Sequence, residues 1–220
     1  APAFAKTWHI EDGDITVKAG ETKGTNKVSQ GANQEVEDTD TIITNREAKA
    51  SSNTVTIEAE KKDDKVEVTL KDVNIDTNSR KKAAVSVTGE GDTNIKLNGD
   101  NALKSDIYRS GIYGSGSLTI SGGTVTANGD DGGRGIYSRG GVTISGGRGI
   151  YSIKSVTISG GTVTANGGDG KNGSGGSGIF SLGRVAISGS TVNAAGGSSG
   201  SSNGGSGIYS SGIDLSGSLE

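Results

Sequence analysis

The chain offers few side chains suited to catalysis. It has a single histidine, His9, and no cysteine, so neither a Cys-His pair nor a Ser-His-Asp set can be formed from its glycine-rich repeats. Enzymes that cut polysaccharides use paired carboxylates. Beyond residue 106 the internal acids are Asp130, Asp131, Asp169 and Asp214, and the first three fall in predicted loops. The sequence therefore predicts a protein that is not an enzyme and needs no cofactor, with a polysaccharide-degrading enzyme as a minor alternative.

Metal ligands are equally sparse. The segment 167–172 matches part of a calcium-binding nonapeptide, but it occurs once, and Lys171 would place a positive charge beside the ion. The N-terminal acids are more numerous, and their alternation with apolar residues indicates an outward strand face: Glu58, Glu60, Glu67, Asp72 and Asp76. The sequence therefore predicts no metal site.

A row of aromatic residues is the best candidate for binding. The phrase Gly-Ile-aromatic occurs five times, and the aromatic members are Tyr113, Tyr137, Tyr151, Phe180 and Tyr209. If each isoleucine points inward, strand alternation sends the next side chain outward. Such a row of rings could stack on successive sugars of a glycan. The alternative is an aromatic stack that seals a corner of the fold and binds nothing.

These phrases belong to a repeat. The steps between them are 24, 14, 29 and 29 residues, and after each comes a run such as Val156-Thr157-Ile158-Ser159. In three units a further run of the type Thr162-Val163-Thr164-Ala165 follows a glycine turn. The runs alternate with period 2 and are rich in β-branched residues, which is typical of half-buried strands. Short strands closed by glycine turns predict an all-β fold, a right-handed parallel β-helix, in which stacked coils share one core.

The unit between Gly135 and Gly149 is shorter than the others. It lacks the Thr-Val-Thr-Ala run, and Gly146-Gly147-Arg148 leads directly into the next Gly-Ile-Tyr phrase. Its two remaining strands keep the consensus sequence. We therefore expect a short coil that dents the solenoid rather than a segment looped out of it.

The N-terminal part continues the pattern more loosely. Strands are predicted at Asp14–Lys18, Thr54–Ala59, Lys65–Leu70, Val73–Asp76, Ala84–Thr88 and Asn94–Leu97. Residues 20–40 are polar and are predicted to be a loop. The resulting organisation is a signal-peptide remnant at 1–5, an N-terminal cap at 6–50, charged first coils at 51–106, glycine-rich β-helix repeats at 107–218, and a cloning remnant at 219–220.

Composition limits the partners and the location. Forty glycines with one proline exclude collagen. A net charge of −3 without a basic region argues against nucleic acid, and no apolar run is long enough to enter a membrane. The A-x-A pattern at Ala3-Phe4-Ala5 is typical of the end of a secretory signal. We therefore expect a protein that is secreted or held at a bacterial cell surface.

Several phrases carry a resemblance to a known family. They are Trp8–Val17, Val66–Asp76, Ala84–Asn101 and the Gly-Ile-Tyr…Leu-Thr-Ile-Ser-Gly-Gly-Thr-Val-Thr-Ala units. They resemble secreted proteins of gut Firmicutes, which are Gram-positive, labelled carbohydrate-binding domain-containing. The resemblance implies an adhesive module that binds a polysaccharide or a host or bacterial surface glycan. It fixes no sugar and no binding residue, and the short coil departs from the usual unit. A passive stalk or spacer is the alternative function.

Overall fold

Strands make up most of the part of the chain that can be described. The computed structural model describes residues 5–107, 110–114, 117–130, 134–138, 142–145, 150–152, 156–159, 162–166, 169, 174–181, 183–189 and 191–217. Helix within these ranges is limited to two single 3-10 turns, at Ile10–Asp12 and Asn78–Arg80.

The strands follow one another at short intervals. In the first half they are β1 (Lys6–His9), β2 (Ile15–Ala19), β3 (Asn26–Gln30), β4 (Asn33–Asp38), β5 (Thr41–Thr44), β6 (Val55–Glu58), β7 (Lys65–Lys71), β8 (Asn74–Asp76), β9 (Val85–Thr88), β10 (Asp92–Ile107) and β11 (Ser110–Gly114). In the second half they are β12 (Ser117–Asp130), β13 (Arg134–Ser138), β14 (Val142–Ser145), β15 (Ile150–Ser152), β16 (Val156–Ser159), β17 (Thr162–Asn166), β18 (Ile179–Ser181), β19 (Arg184–Ser188), β20 (Thr191–Ala195), β21 (Ile208–Tyr209) and β22 (Gly212–Ser216).

Two long sheets contain most of these strands. Sheet A runs β1-β5-β7-β10-β12-β14-β16-β19-β22, and sheet B runs β21-β18-β15-β13-β11-β9-β6-β2-β3-β4. Sheet A is parallel throughout, and successive coils contribute one strand to each sheet. A chain that returns to the same two sheets on every coil with parallel pairing is a solenoid. The predicted parallel β-helix is confirmed.

The core is a set of apolar stripes that run along the solenoid. In sheet A the Cα register aligns Val68, Ile95, Ile120, Ile144, Ile158, Ile187 and Leu215. In sheet B, Val85 aligns with Ile112 and Ile112 with Ile136, while Ile150 aligns with Ile179 and Ile179 with Ile208. Val68, Ile95, Ile112 and Ile179 are fully buried. The isoleucines that the sequence predicts to stack therefore do so in the backbone register.

A third arm of each coil is more variable. Leu103 in the second half of β10 pairs with Ile75 of β8 on one side and with Ala127 of β12 on the other. Further along, β17 pairs with β20 in a separate two-stranded sheet. In the short unit, β13 and β14 keep their places in sheets B and A, and none of its described residues joins the third arm. The short unit therefore keeps two strands in the stack, while residues 146–149, where the dent is expected, lie outside the described residues.

The N-terminal region differs from the prediction in two respects. A separate cap at 6–50 is not confirmed, because β1, β2 and β5 pair in parallel with the strands of later coils and are coils themselves. The loop predicted at 20–40 is wrong, because β3 and β4 form an antiparallel hairpin beside β2. The six strands predicted from Asp14 to Leu97 are confirmed. Five differ from the prediction by small shifts at their ends, and the sixth, Asn94–Leu97, is part of the much longer β10.

Buried polar contacts hold the hairpin to the first coil. The carboxylate of Asp38, at the end of β4, accepts hydrogen bonds from the Trp8 indole Nε1 at 2.8 Å and from the Lys6 backbone N–H at 3.0 Å. The Lys6 ammonium lies 4.2 Å from the centroid of the Trp8 ring. Gln30 donates from Nε2 to the carbonyl oxygens of His9 and Gly13. Trp8 is thereby covered at the first edge of the stack, with 2% of its surface exposed.

The glycine-rich loops of the last two full coils pack on one another through their backbones. The N–H of Gly175 donates to the carbonyl of Asn203, that of Gly197 to Gly176, and that of Gly205 to Gly197. A Cβ at Gly196 would collide with the carbonyl of Gly205, whereas one at Gly204 would lie at an ordinary 3.5 Å from the carbonyl of Gly197. These glycines allow the close approach of two main chains.

Replacing Gly196 by alanine should therefore lower the free energy of unfolding by about 1–3 kcal/mol, because the new methyl group forces the loop backbones apart. Gly204→Ala is the matched control and should change it by less than about 0.5 kcal/mol. Urea unfolding of both variants measures the difference. Equal stabilities would contradict the backbone packing of the two loops.

Candidate functional site

The aromatic row is aligned along sheet B. Tyr113 pairs in register with Tyr137, Tyr137 with Tyr151, Tyr151 with Phe180, and Phe180 with Tyr209. The isoleucines before the first and fourth aromatic residues, Ile112 and Ile179, are fully buried. Phe180 is half-buried and Tyr209 is 51% exposed. For these two rings the predicted alternation, isoleucine inward and aromatic outward, agrees with the burial.

The two described rings stack on each other. The ring centroids of Phe180 and Tyr209 lie 4.8 Å apart, and the ring planes differ by 7°. This spacing equals the distance of about 4.8 Å between neighbouring strands, so each ring lies over the ring of the next coil. A sugar cannot enter between them. What the pair presents outward is ring edges, the Tyr209 hydroxyl and the free outer face of Tyr209.

The remaining members of the row are placed by backbone only. The side chains of Tyr113, Tyr137 and Tyr151 lie outside the described residues. Towards the N-terminus the same register position is occupied by Ser86, Thr56 and Thr16. The aromatic row therefore begins at β11 and follows three coils that carry hydroxyl side chains instead.

Most carboxylates considered for catalysis have partners. Lys18 lies 3.4 Å from Glu58 and 3.5 Å from Glu60, and these charges raise the pKa of Lys18, Glu58 most strongly. Lys96 lies 3.0 Å from Glu67. Glu58 and Glu60 therefore share Lys18 as an ion-pair partner, and Glu67 has Lys96.

The described acids of the repeats also have hydrogen-bond partners in neighbouring coils. Arg184 donates two hydrogen bonds, of 2.6 and 2.9 Å, to the carboxylate of Asp214, and these bonds lower the pKa of Asp214. Asp169, in the calcium-like segment, accepts the Ser198 N–H at 2.7 Å, and this bond lowers its pKa. The side chain of Asp130 and all of Asp131 lie outside the described residues. No group of three or more metal-binding side chains occurs among the described positions.

Comparison with known proteins supports the fold type. A family model described as a beta helix repeat matches residues 118–137 and 156–178. No curated protein and no solved structure gives a significant match. The matched segments contain the Leu-Thr-Ile and Val-Thr-Ile strands and the loops that lead to Tyr137 and Gly178. These matches support a parallel β-helix. The resemblance to proteins labelled carbohydrate-binding domain-containing remains an expectation. In the described part of the structure, no helix has the length and apolar character to span a bilayer.

One feature that sequence reasoning missed is a groove where β7 and β10 begin. It has a volume of about 310 Å³, and its walls come from Gly24, Asn26, 65–67 and 92–94. Thr93 is 1% exposed, and its Oγ1 has no hydrogen-bond partner; neither does the buried Oδ1 of Asn94. Thr93 stands in register with Val66 and Leu118, in a stripe that is otherwise apolar. A threonine in that stripe was the signal that could have revealed the groove.

The unpaired hydroxyl of Thr93 can be tested by substitution. Thr93→Val keeps the shape and removes the unpaired group, so it should raise the free energy of unfolding by about 1 kcal/mol. Thr93→Ser, the control, keeps the hydroxyl, loses a methyl group and should lower the stability by about 1 kcal/mol. Thermal and urea unfolding give both values. A destabilised Thr93→Val variant would mean that the hydroxyl is bonded through the groove.

Proposed function

We propose that this chain is a non-catalytic module, secreted or held at a bacterial cell surface, that binds a glycan along the outer side of sheet B. The observation that carries the proposal is the outward placement of Phe180 and Tyr209, at one ring per coil, in a register shared by five aromatic residues. Five levels at about 4.8 Å give a row about 19 Å long. That is long enough to contact several sugar units of an extended chain.

The stacked rings define how such a glycan would be held. Since Phe180 and Tyr209 cover each other's facing sides, a sugar at this pair would contact the ring edges and the Tyr209 hydroxyl, or stack on the exposed face of Tyr209. A rigid row of rings loses little conformational entropy on binding. Tyrosine suits this position because its ring is apolar and its hydroxyl bonds to water or sugar.

A passive stalk or spacer is the second candidate. The face-to-face stacking of Phe180 on Tyr209 favours a stalk, because rings that stack on each other can stabilise a solenoid without any ligand. The ion pairs that Glu58, Glu67 and Asp214 form with basic residues weigh against the polysaccharide-degrading alternative. The two candidates differ in what removing the rings does to binding and to stability.

A glycan array measured on the wild-type chain and on the Tyr137→Ala/Tyr151→Ala variant separates them. For a binding row we expect reproducible binding that the double substitution abolishes while the melting temperature changes little. Thr56→Ala, at the same register position in an early coil, is the matched control and should bind as the wild type does. A blank array together with a loss of about 3–5 kcal/mol per ring, the range for buried aromatics, would support the stalk instead.

A further inference from the structure

The groove at the start of β7 and β10 lies where β5 is shorter than the strands that follow it in sheet A. The register of β5 with β7 begins at Val68, whereas that of β7 with β10 begins at Lys65. Asn26 of β3 lies at this step, and its Nδ2 donates to the Glu67 carbonyl oxygen at 2.8 Å and to the Thr41 Oγ1 at 2.9 Å. Since Asn26 is buried, these two hydrogen bonds hold one wall of the groove in place.

Two oxygen atoms of the groove are buried without a partner. Among the described residues that line it, the Thr93 Oγ1 and the Asn94 Oδ1 have no hydrogen-bond partner. The Asn94 Nδ2 donates to the Glu67 Oε2 at 3.3 Å. Turning the amide over would lose that bond and place its oxygen against the carboxylate, so the Asn94 Oδ1 is fixed as an acceptor. Because an unpaired buried polar group costs free energy, two of them side by side indicate a place where a bound molecule completes the hydrogen bonds.

The charges on the walls favour a cation. Lys65 contributes one positive charge, and Glu67 and Asp92 contribute two negative charges, which leaves one net negative charge. Glu67 already has an ion pair with Lys96 at 3.0 Å, so we assign the counter-charge for a ligand to Asp92. Val66 adds an apolar surface to the same groove.

We propose that this groove binds a small primary alkylamine in its ammonium form. An ammonium group has three N–H donors and no acceptor, which matches the oxygens of Thr93, Asn94 and Asp92. Its alkyl part would lie against Val66. A volume of about 310 Å³ is at the lower end of the range for small-molecule sites, so the ligand is small.

This site is separate from the proposed glycan row. The groove is formed by the first residues of two strands of sheet A, whereas the row follows the outer side of sheet B. The two proposals use different residues and different ligands, so failure of one leaves the other standing.

Amide NMR spectra of the 220-residue chain, titrated with n-butylammonium chloride, test the proposal. We expect saturable shifts of the backbone amides of Glu67, Thr93 and Asn94, and a melting temperature that rises with the concentration of the amine. Two matched probes at the same ionic strength separate the contributions. Tetramethylammonium keeps the charge but has no N–H donor, and n-butanol keeps the alkyl chain but has no charge. Both should bind at least about tenfold more weakly, the factor expected for losing hydrogen bonds to a charged group.

Substitutions identify the oxygens that bind the amine. Thr93→Val removes the hydroxyl and keeps the shape of the side chain, so it should weaken the binding of n-butylammonium by about tenfold. Thr93→Ser keeps the hydroxyl and should still bind. Thr69→Val makes the same change on β7 outside the groove and should bind as the wild type does.

A second pair of variants keeps the test independent of how Thr93→Val folds. Asn94→Ala removes the fixed acceptor and should also weaken binding, whereas Asn98→Ala, at an exposed position further along β10, should not. Absence of saturable binding by the wild type would overturn the proposal. So would equal affinity for n-butanol or tetramethylammonium, or folded Thr93→Val and Asn94→Ala variants that bind like the wild type.

Discussion

Everything in this molecule depends on the in-register stacking of parallel strands, one coil on the next. The apolar stripe from Val68 through Ile95 to Leu215 lies in a core only one coil wide, and a single coil cannot bury its own stripe. Stability is therefore shared between neighbouring coils. That explains how a chain with 30% hydrophobic and 4% aromatic residues folds without a bulky core.

The same stacking brings like residues together on the outside. Phe180 lies on Tyr209, and the backbone of one glycine loop lies on the backbone of the next. Where charges meet across coils they alternate in sign, as for Arg184 with Asp214 and Lys96 with Glu67. A periodic surface is thus a consequence of the fold. A ligand or partner that binds this surface would contact a row of similar residues, one from each coil.

The sequence predicted the coils well where inward residues are apolar and β-branched, as in β6, β7 and β9. It missed the hairpin at β3 because the inward residues there include Asn26 and Gln30, whose amides are buried by hydrogen bonds to other segments. Those bonds are long-range and leave no local pattern. Alternation predicted the outward direction of the rings. The face-to-face contact of Phe180 and Tyr209 follows from the spacing between neighbouring strands. That spacing cannot be read from the periodicity of the sequence.

The register between neighbouring coils can be measured directly, because the natural chain contains no cysteine. Glu67 and Asn94 are Cα partners on the outer side of β7 and β10. Their separation of about 4.8 Å lies within the range of about 4.4–6.8 Å that a disulfide spans. The Glu67→Cys/Asn94→Cys variant should therefore lose both thiols on mild oxidation, as mass spectrometry after alkylation would show. The Glu67→Cys/Asn98→Cys variant, with its second cysteine four residues and about 13 Å further along β10, should keep both thiols. Equal oxidation of the two variants, or cross-linking of the second alone, would contradict the parallel in-register stack.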